Sequence, residues 1–459
     1  MAIVETSKKS CTVNPLKMSQ PIGGALAFMG LKGCMPVLHG SQGCTSFGLV
    51  LFVRHFREAI PLQTTAMNEV ATILGGLDNI EQAILNIVKR ANPDIIGICS
   101  TGVTEVKGDD VDGYLKLVRK RHPELADLGL VYVSTPDFTG AFQDGFAKTV
   151  TAIIEAFVPE EIPTRRAPQR LNVLAGCHLT PGDIDELRDI IEAFGLEPTF
   201  LPDISGSLDG HIPDDFTPTT LGGVTRADIA AMGSAAHTIV VGEQLRAAAV
   251  ALEKRSGAPF TVFDRLTGLD ACDDFIGLLM RLSGRPAPLK LRRLRGQLVD
   301  AMLDGHFHFG GKRIAIGAEP DLLYAVGAFL LEMGADLEIA VTTTQSPVFE
   351  KLAIDKVVIG DLEDMERGAA GADLLITHAH GRQMAERLGL PLYRMGIPTF
   401  DRLGAAHEVS VGYRGTRNLI FAIGNIFISG QHEPDPDTWR GDTNCAPTPA
   451  SQELVQITV

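Results

Sequence analysis

The sequence has no paired-cysteine pattern. Its seven cysteines, Cys11, Cys34, Cys44, Cys99, Cys177, Cys272 and Cys445, are scattered and odd in number, and none forms a CxxC. That excludes a disulfide framework and a zinc ribbon, and it fits a reducing cytoplasm in which a metal-binding cysteine works alone or with another chain. No apolar run is long enough to span a membrane, and the polar Met1–Asn14 is neither a signal peptide nor more than a flexible lead. Excess positive charge is also missing. The net charge of −15 argues against nucleic acid and anionic membrane as partners. There is no GxSxG and no HExxH. Phe309-Gly310-Gly311-Lys312 lacks P-loop spacing, and Gly317-Ala318-Glu319-Pro320-Asp321 is not GxGxxG. His306/His308 and His378/His380 read as surface or loop histidines. Asp109 and Asp110 read as helix-capping residues.

What is present is a chain of 459 residues, 45% hydrophobic and 21% charged, enough for several cores. Continuous apolar runs such as Ile95–Cys99 predict strands buried on both faces, and periodic segments such as Ile80–Ala91 predict the helices between them. Three such blocks predict an α/β protein of three Rossmann-like domains, each a mostly parallel sheet of about four strands with helices on both faces. The expected divisions are 1–165, 166–295 and 296–430, with the first boundary in the proline-rich stretch Val158–Pro168. Residues 431–459 are expected to form an irregular tail. Arg292-Arg293-Leu294-Arg295 falls on a connecting helix as a solvated face.

The stretch around which the chain is organised is Val37-Leu38-His39-Gly40-Ser41-Gln42-Gly43-Cys44-Thr45. A short apolar run stops at Gly40, and an amphipathic helix with Phe47, Leu49, Leu51, Phe52 and Phe56 begins near Thr45. A sulfur at a helix N-terminus is favoured as thiolate, the metal-binding form, and the glycines leave room beside it. Taken alone, the same turn suits a small buried thiol.

Four motifs in order change that balance: His39-Gly40-Ser41-Gln42-Gly43-Cys44, Arg54-His55-Phe56-Arg57-Glu58, Thr104-Glu105-Val106-Lys107-Gly108-Asp109-Asp110 and Gly396-Ile397-Pro398-Thr399-Phe400-Asp401-Arg402. Together they resemble the β-type chain of the nitrogenase molybdenum–iron superfamily, from about Gln20 to Gly424. In the catalytic β chain, three cysteines serve an eight-iron cluster at the interface with the α chain. Here Ser19, Cys44 and Gly102 stand in those places. One thiolate is too few for any cluster, since a four-iron cubane takes four ligands. The resemblance therefore implies the cofactor-scaffold branch of the superfamily. Cys44 then supplies one ligand to a [4Fe-4S] cluster shared with a NifE-like α-type chain in an α2β2 heterotetramer. It also implies a role in maturing an iron–sulfur precursor of the iron–molybdenum cofactor, carried mainly on the partner. NifB, NifX and the nitrogenase iron protein are implied as transient partners, with molybdenum and homocitrate delivered to the complex. No catalytic or cofactor-holding residue is assigned to this chain. The alternatives are a catalytic β chain of nitrogenase, a subunit of light-independent protochlorophyllide reductase, whose members do not share the motif set, and a metal-free paralogue.

Overall fold

The computed structural model describes residues 2–9 and 11–430; the expected irregular tail and Cys445 lie outside the described residues. All strand pairings are parallel, in three sheets flanked by helices. The first segment of the chain is not a free lead. Strand β1 (Ile3–Thr6) pairs with a strand near residue 356, and Lys9 reaches Asp361 and, at 3.1 Å, Glu363. The strand is only four residues long and its partner lies in the third unit, which conceals the pairing from a local reading of the sequence.

The first unit runs through α1 (Gln20–Met29), β2 (Cys34–His39), α2 (Gln42–Phe56), β3 (Gln63–Thr64), α3 (Glu69–Leu74), α4 (Leu77–Ala91), β4 (Ile95–Ser100), α5 (Gly102–Lys107), α6 (Val111–Arg121), β5 (Gly129–Val133) and α7 (Phe142–Phe157). Its sheet order is β3-β2-β4-β5. All ten residues of α1 are buried, as expected of a helix apolar on every side. Its glycines let it lie directly on α7: a Cβ at Gly23 would sit 1.9 Å from the Phe142 carbonyl oxygen, and one at Gly145 would sit 2.0 Å from that of Gln20.

The second unit holds β6 (Ala167–Ala175), α8 (Pro181–Glu192), β7 (Glu197–Leu201), α9 (Arg226–Ala231), β8 (Ala235–Val241), α10 (Arg246–Ser256), β9 (Phe260–Phe263) and α11 (Leu269–Ser283), with sheet order β7-β6-β8-β9. After Pro286 and Pro288 comes α12 (Leu289–Phe309). The third unit holds β10 (Arg313–Ala318), α13 (Pro320–Glu332), β11 (Asp336–Thr342), β12 (Lys356–Ile359), α14 (Leu362–Gly368), β13 (Leu374–Thr377), α15 (Arg382–Leu388), β14 (Leu392–Arg394) and α16 (Gly412–Ser429). Its sheet has six strands rather than four, in the order β1-β12-β11-β10-β13-β14. One apolar core, including Phe28, Phe142, Phe200 and Phe329, runs through all three units. No helix among the described residues is long and apolar enough to cross a membrane.

Candidate functional site

Strand β2 delivers the chain to its turn at His39. The ring of His39 is fully buried: its Nδ1 lies 2.9 Å from Thr65 Oγ1, and its carbonyl oxygen accepts from the hydroxyls of Thr101 (2.9 Å) and Thr104 (3.3 Å). Asp109 does not cap a helix, unlike Asp110, which accepts from Gly113 N–H. Asp109 is buried, takes a 2.9 Å bond from Lys107, and has its Oδ2 3.4 Å from His39 Nε2. Burial pulls the His39 pKa below its ordinary value, only partly offset by Asp109, so the imidazole is neutral at physiological pH. The turn after β2 is thus fixed from beneath by a hydrogen-bonded cluster. Gly40 is required by that packing, since a Cβ there would meet Thr101 Oγ1 at 2.2 Å.

Helix α2 begins earlier than its amphipathic pattern suggests, so Cys44 lies inside its first turn. Ser41, the residue before the helix, makes no capping bond, and its hydroxyl instead lies 3.5 Å from Cys44 Sγ. The sulfur is half-buried. Over Gly43 there is open space, an added Cβ meeting nothing nearer than Ser41 Oγ at 4.0 Å. The room beside Cys44 therefore faces outward. Phe47, on the same face one turn along, is 69% exposed rather than buried as the sequence pattern implied, and Val50 and Val53 continue an exposed stripe. Helix α5, which replaces the loop expected at Ser100–Glu105, exposes Val106 (79%). Helix α3, packed on α5, buries no residue and exposes Leu74 (80%) with Val70 and Ile73. Helices α2, α3 and α5 of the first unit thus each carry apolar side chains left exposed among the described residues.

Ser19 precedes α1 in extended conformation and caps nothing. Next to it, Gln20 Nε2 donates to the Thr139 carbonyl at 2.6 Å. Gly102 opens α5, and Asp137 occupies the place of its absent side chain: a Cβ at 102 would lie 2.1 Å from Asp137 Oδ1. The loop after β5 thereby runs past both positions. Among the described residues no group of three His, Cys, Asp or Glu side chains converges to hold a metal. The local donor set fits one corner of a shared cluster and no complete cluster.

A second feature was not legible as a site. A cavity of about 300 Å³ lies between the three units, reached by His55 of α2, Cys177 and His178 after β6, Glu319 before α13, and Tyr393. Burial pushes His55, His178 and the buried His378 down to about 4 and Glu319 up to about 8. Near neutrality these groups are uncharged. Among the described residues His178 Nδ1 has no hydrogen-bond partner. His378 is not a loop histidine awaiting a ligand, because its Nε2 donates to the Leu16 carbonyl at 3.1 Å and its Nδ1 accepts from His380 N–H at 3.3 Å. Cys34, Cys99, Cys177 and Cys272 are buried, with burial raising each thiol pKa, and Cys11 is exposed.

The family model of nitrogenase component 1 type oxidoreductases matches residues 19–428. The chain is 62% identical over 446 residues to the nitrogenase iron-molybdenum cofactor biosynthesis protein NifN of Bradyrhizobium diazoefficiens, covering 96% of this chain and 95% of that one. It is 52% identical over 431 residues to the NifN protein of Nostoc sp., covering 94% and 96%. Among solved structures, a chain of nitrogenase Cp1 at pH 6.5 superposes with a TM-score of 0.87 at 31% identity, over 92% of this chain and 95% of that chain. A chain of nitrogenase Cp1 at pH 5, at 14% identity and a TM-score of 0.70, shares the fold over 93% of this chain and 91% of its own.

Proposed function

This chain belongs to the nitrogenase component 1 type oxidoreductase family, and from that premise we propose that it is the β-type subunit of a scaffold on which the iron–molybdenum cofactor of nitrogenase is matured. Its partner is a NifE-like α-type chain in an α2β2 assembly. Cys44 gives one thiolate to a [4Fe-4S] cluster at their interface, and the partner gives the other ligands. The molybdenum-free precursor is carried mainly on the partner. NifB, NifX and the iron protein act as transient partners, in the cytoplasm.

The observation that carries this reading is the setting of Cys44. It is a single half-buried thiol with outward space at Gly43, on a helix whose exposed stripe carries the bare apolar side chains Phe47, Val50 and Val53. Contiguous exposed apolar surface marks a contact with another chain. A partner covering it would exclude water from the sulfur. The hydrogen bonds from Thr101 and Thr104 to the His39 carbonyl hold the turn, and with it the sulfur, in place. When bound, an iron–sulfur cluster supplies one-electron transfer. Nothing at Ser19 or Gly102 favours the catalytic β chain: neither carries a thiol, and Asp137 stands in the second place.

The test uses the complex copurified with its α-type partner. Given precursor, molybdenum, homocitrate and the iron protein with ATP, it is expected to activate a cofactor-deficient catalytic protein, while reducing dinitrogen poorly itself. Sustained ammonia formation at the rate of the catalytic protein would sink the proposal.

A further inference from the structure

The carboxyl ends of two strands open on the cavity between the units. β6 lies between β7 and β8, and β10 lies between β11 and β13, so the connections leave each of them to opposite sides. Beyond the end of such a strand the flanking connections part and leave a crevice, which is where open α/β sheets take their ligands. β6 ends at Ala175 and hands over Cys177 and His178, and β10 ends at Ala318 and hands over Glu319. All of these but Ala175 line the one cavity of about 300 Å³. That is far larger than the single-water voids of a close-packed interior, and it reaches the lower end of the ~300–1,000 Å³ typical of ligand pockets. It opens past His407 and Glu408, both exposed.

The walls select against charge. Met18, Phe142, Leu322, Ile397 and Leu419 give it an apolar face. Among the described residues Arg394 is the one arginine or lysine in the lining, and its guanidinium is engaged. Nε and Nη2 donate to Asp401 at 3.0 and 2.8 Å, and Nη1 donates to the Leu392 carbonyl at 3.0 Å. Asp183 is closed in the same way, accepting from the N–H groups of Thr180 (3.0 Å), Ser410 (2.7 Å) and Val411 (3.2 Å). A polyanion would be buried there without a free cation, and an organic cation would find no free carboxylate inside the mouth.

The groups left over are uncharged donors. His55 Nδ1 accepts from the Thr399 N–H at 2.9 Å, which places the proton of the neutral ring on Nε2. Glu319 Oε2 accepts from the Gln143 N–H at 3.2 Å, yet burial outweighs that bond and the carboxyl keeps its own proton near neutrality. The titratable groups that act on it are Asp144 of α7, Cys177 after β6 and Lys17, with Lys17 weaker than Asp144. Glu319 and His178 are each only partly covered, and in the wall of the cavity that uncovered surface opens on it.

We propose that this cavity binds a small uncharged organic molecule, its apolar body against Phe142, Leu322 and Leu419 and a carbonyl-type oxygen accepting from His55 Nε2–H and the Glu319 carboxyl. The inference concerns this chain's own residues and does not rest on the scaffold reading.

The probe is para-fluorobenzamide, an uncharged aryl amide, followed by fluorine NMR on the complex copurified with the α-type chain. Saturable binding of about millimolar strength or tighter is expected, the range open to a ligand of this size. Leu322→Trp fills the apolar wall and is expected to weaken binding at least about tenfold. para-Fluorobenzoate and para-fluorobenzylammonium have nearly the same shape but carry charge, and each is expected to bind about tenfold more weakly. Between pH 7 and pH 9 the wild-type affinity is expected to fall about tenfold, as Glu319, with its pKa raised to about 8, ionises and ceases to donate. Glu319→Gln keeps an N–H donor there, so it is expected to bind at pH 7 and to hold that affinity to pH 9.

No saturable binding in the wild type overturns the proposal. So does binding that a folded Leu322→Trp variant leaves intact, because the site would then lie elsewhere, the α-type chain included. Tighter binding of the benzoate or the benzylammonium overturns the uncharged class. An equal fall with pH in Glu319→Gln overturns the role of Glu319, and this arm decides alone if melting shows Leu322→Trp to be misfolded. Where no α-type chain copurifies, the scaffold reading fails separately and the same titrations are run on this chain by itself.

Discussion

The imidazole of His55 accepts a hydrogen bond from the backbone N–H of Thr399 at 2.9 Å. His55 lies at the end of the helix that begins with Cys44, and Thr399 lies in the Gly396–Arg402 motif of the third unit. Two motifs distant in sequence are therefore one junction, reinforced by Arg54 stacked 4.0 Å above the Phe400 ring. His55→Ala would remove a buried ring and leave the Thr399 N–H without its partner. The expected cost is ~2–4 kcal/mol, combining a cavity and a lost hydrogen bond. Denaturant titration reads the loss, and amide exchange at Thr399 should accelerate with it. Stability indistinguishable from wild type would mean that the junction is dispensable.

On the proposed reading Cys44→Ala should strip the interface cluster from the copurified complex, because a cubane iron that loses its one protein ligand is labile. Iron analysis and electron paramagnetic resonance are expected to show loss or a changed spin signal. Cys11→Ala should leave both unchanged, its thiol being exposed and outside the motifs that carry the resemblance. So should Cys445→Ala. An unaltered cluster in Cys44→Ala would remove the assignment.

Gly102→Cys tests whether packing forbids a second thiol. The added Cβ would collide with Asp137, but Asp137 is exposed and its carboxylate can swing aside. Gly102 also does not have a positive φ. The expected loss is therefore small, within ~1 kcal/mol, as for surface substitutions without backbone strain. A loss above ~3 kcal/mol would show that Asp137 is held in place.

Glu319 gives a pH signature. Its folded pKa is raised from 4.5 to about 8, chiefly by burial. The folded state then binds a proton that the unfolded state has released, so its contribution is full below about 4.5 and is lost as pH rises through about 8. Glu319→Gln has no such proton. The stability of this variant relative to wild type should rise between pH 5 and 8 and then level off. The total rise is at most a few kcal/mol, since each tenfold change in proton affinity is worth ~1.4 kcal/mol. Melting curves across that range check the slope. A flat difference would mean that Glu319 is ionised in the folded chain.

The repeating βα pattern was legible because buried parallel strands such as Ile95–Ser100 are continuous apolar runs and their helices carry clear periodicity. The strand–turn–helix setting of Cys44 was legible from the glycines flanking it. Short elements were not. Helix α5 depends on Thr104 Oγ1 accepting from the Thr101 N–H at 3.1 Å, in a stretch that reads as loop. Helix α16 was also missed, although it is 18 residues long. The outward turn of Phe47 was hidden because an exposed phenylalanine reads in the sequence like a core one. The cavity drew His55, His178 and Glu319 from three units, and no local spacing links residues brought together only by tertiary packing.

The pairing of Ile3–Thr6 with Lys356–Ile359 has a consequence for the order of synthesis. A ribosome releases Ile3–Thr6 long before its partner strand exists. Throughout translation of the first two sheets, this segment can form none of its native ladder. It can close onto the third sheet only after Lys356–Ile359 has left the exit tunnel. As an edge strand paired on one side, it is then a late clasp, fastening the earliest part of the chain to one of the last parts to fold. A bulky fusion placed directly before Ile3 should therefore slow the final step of folding while leaving the first two sheets to form on schedule.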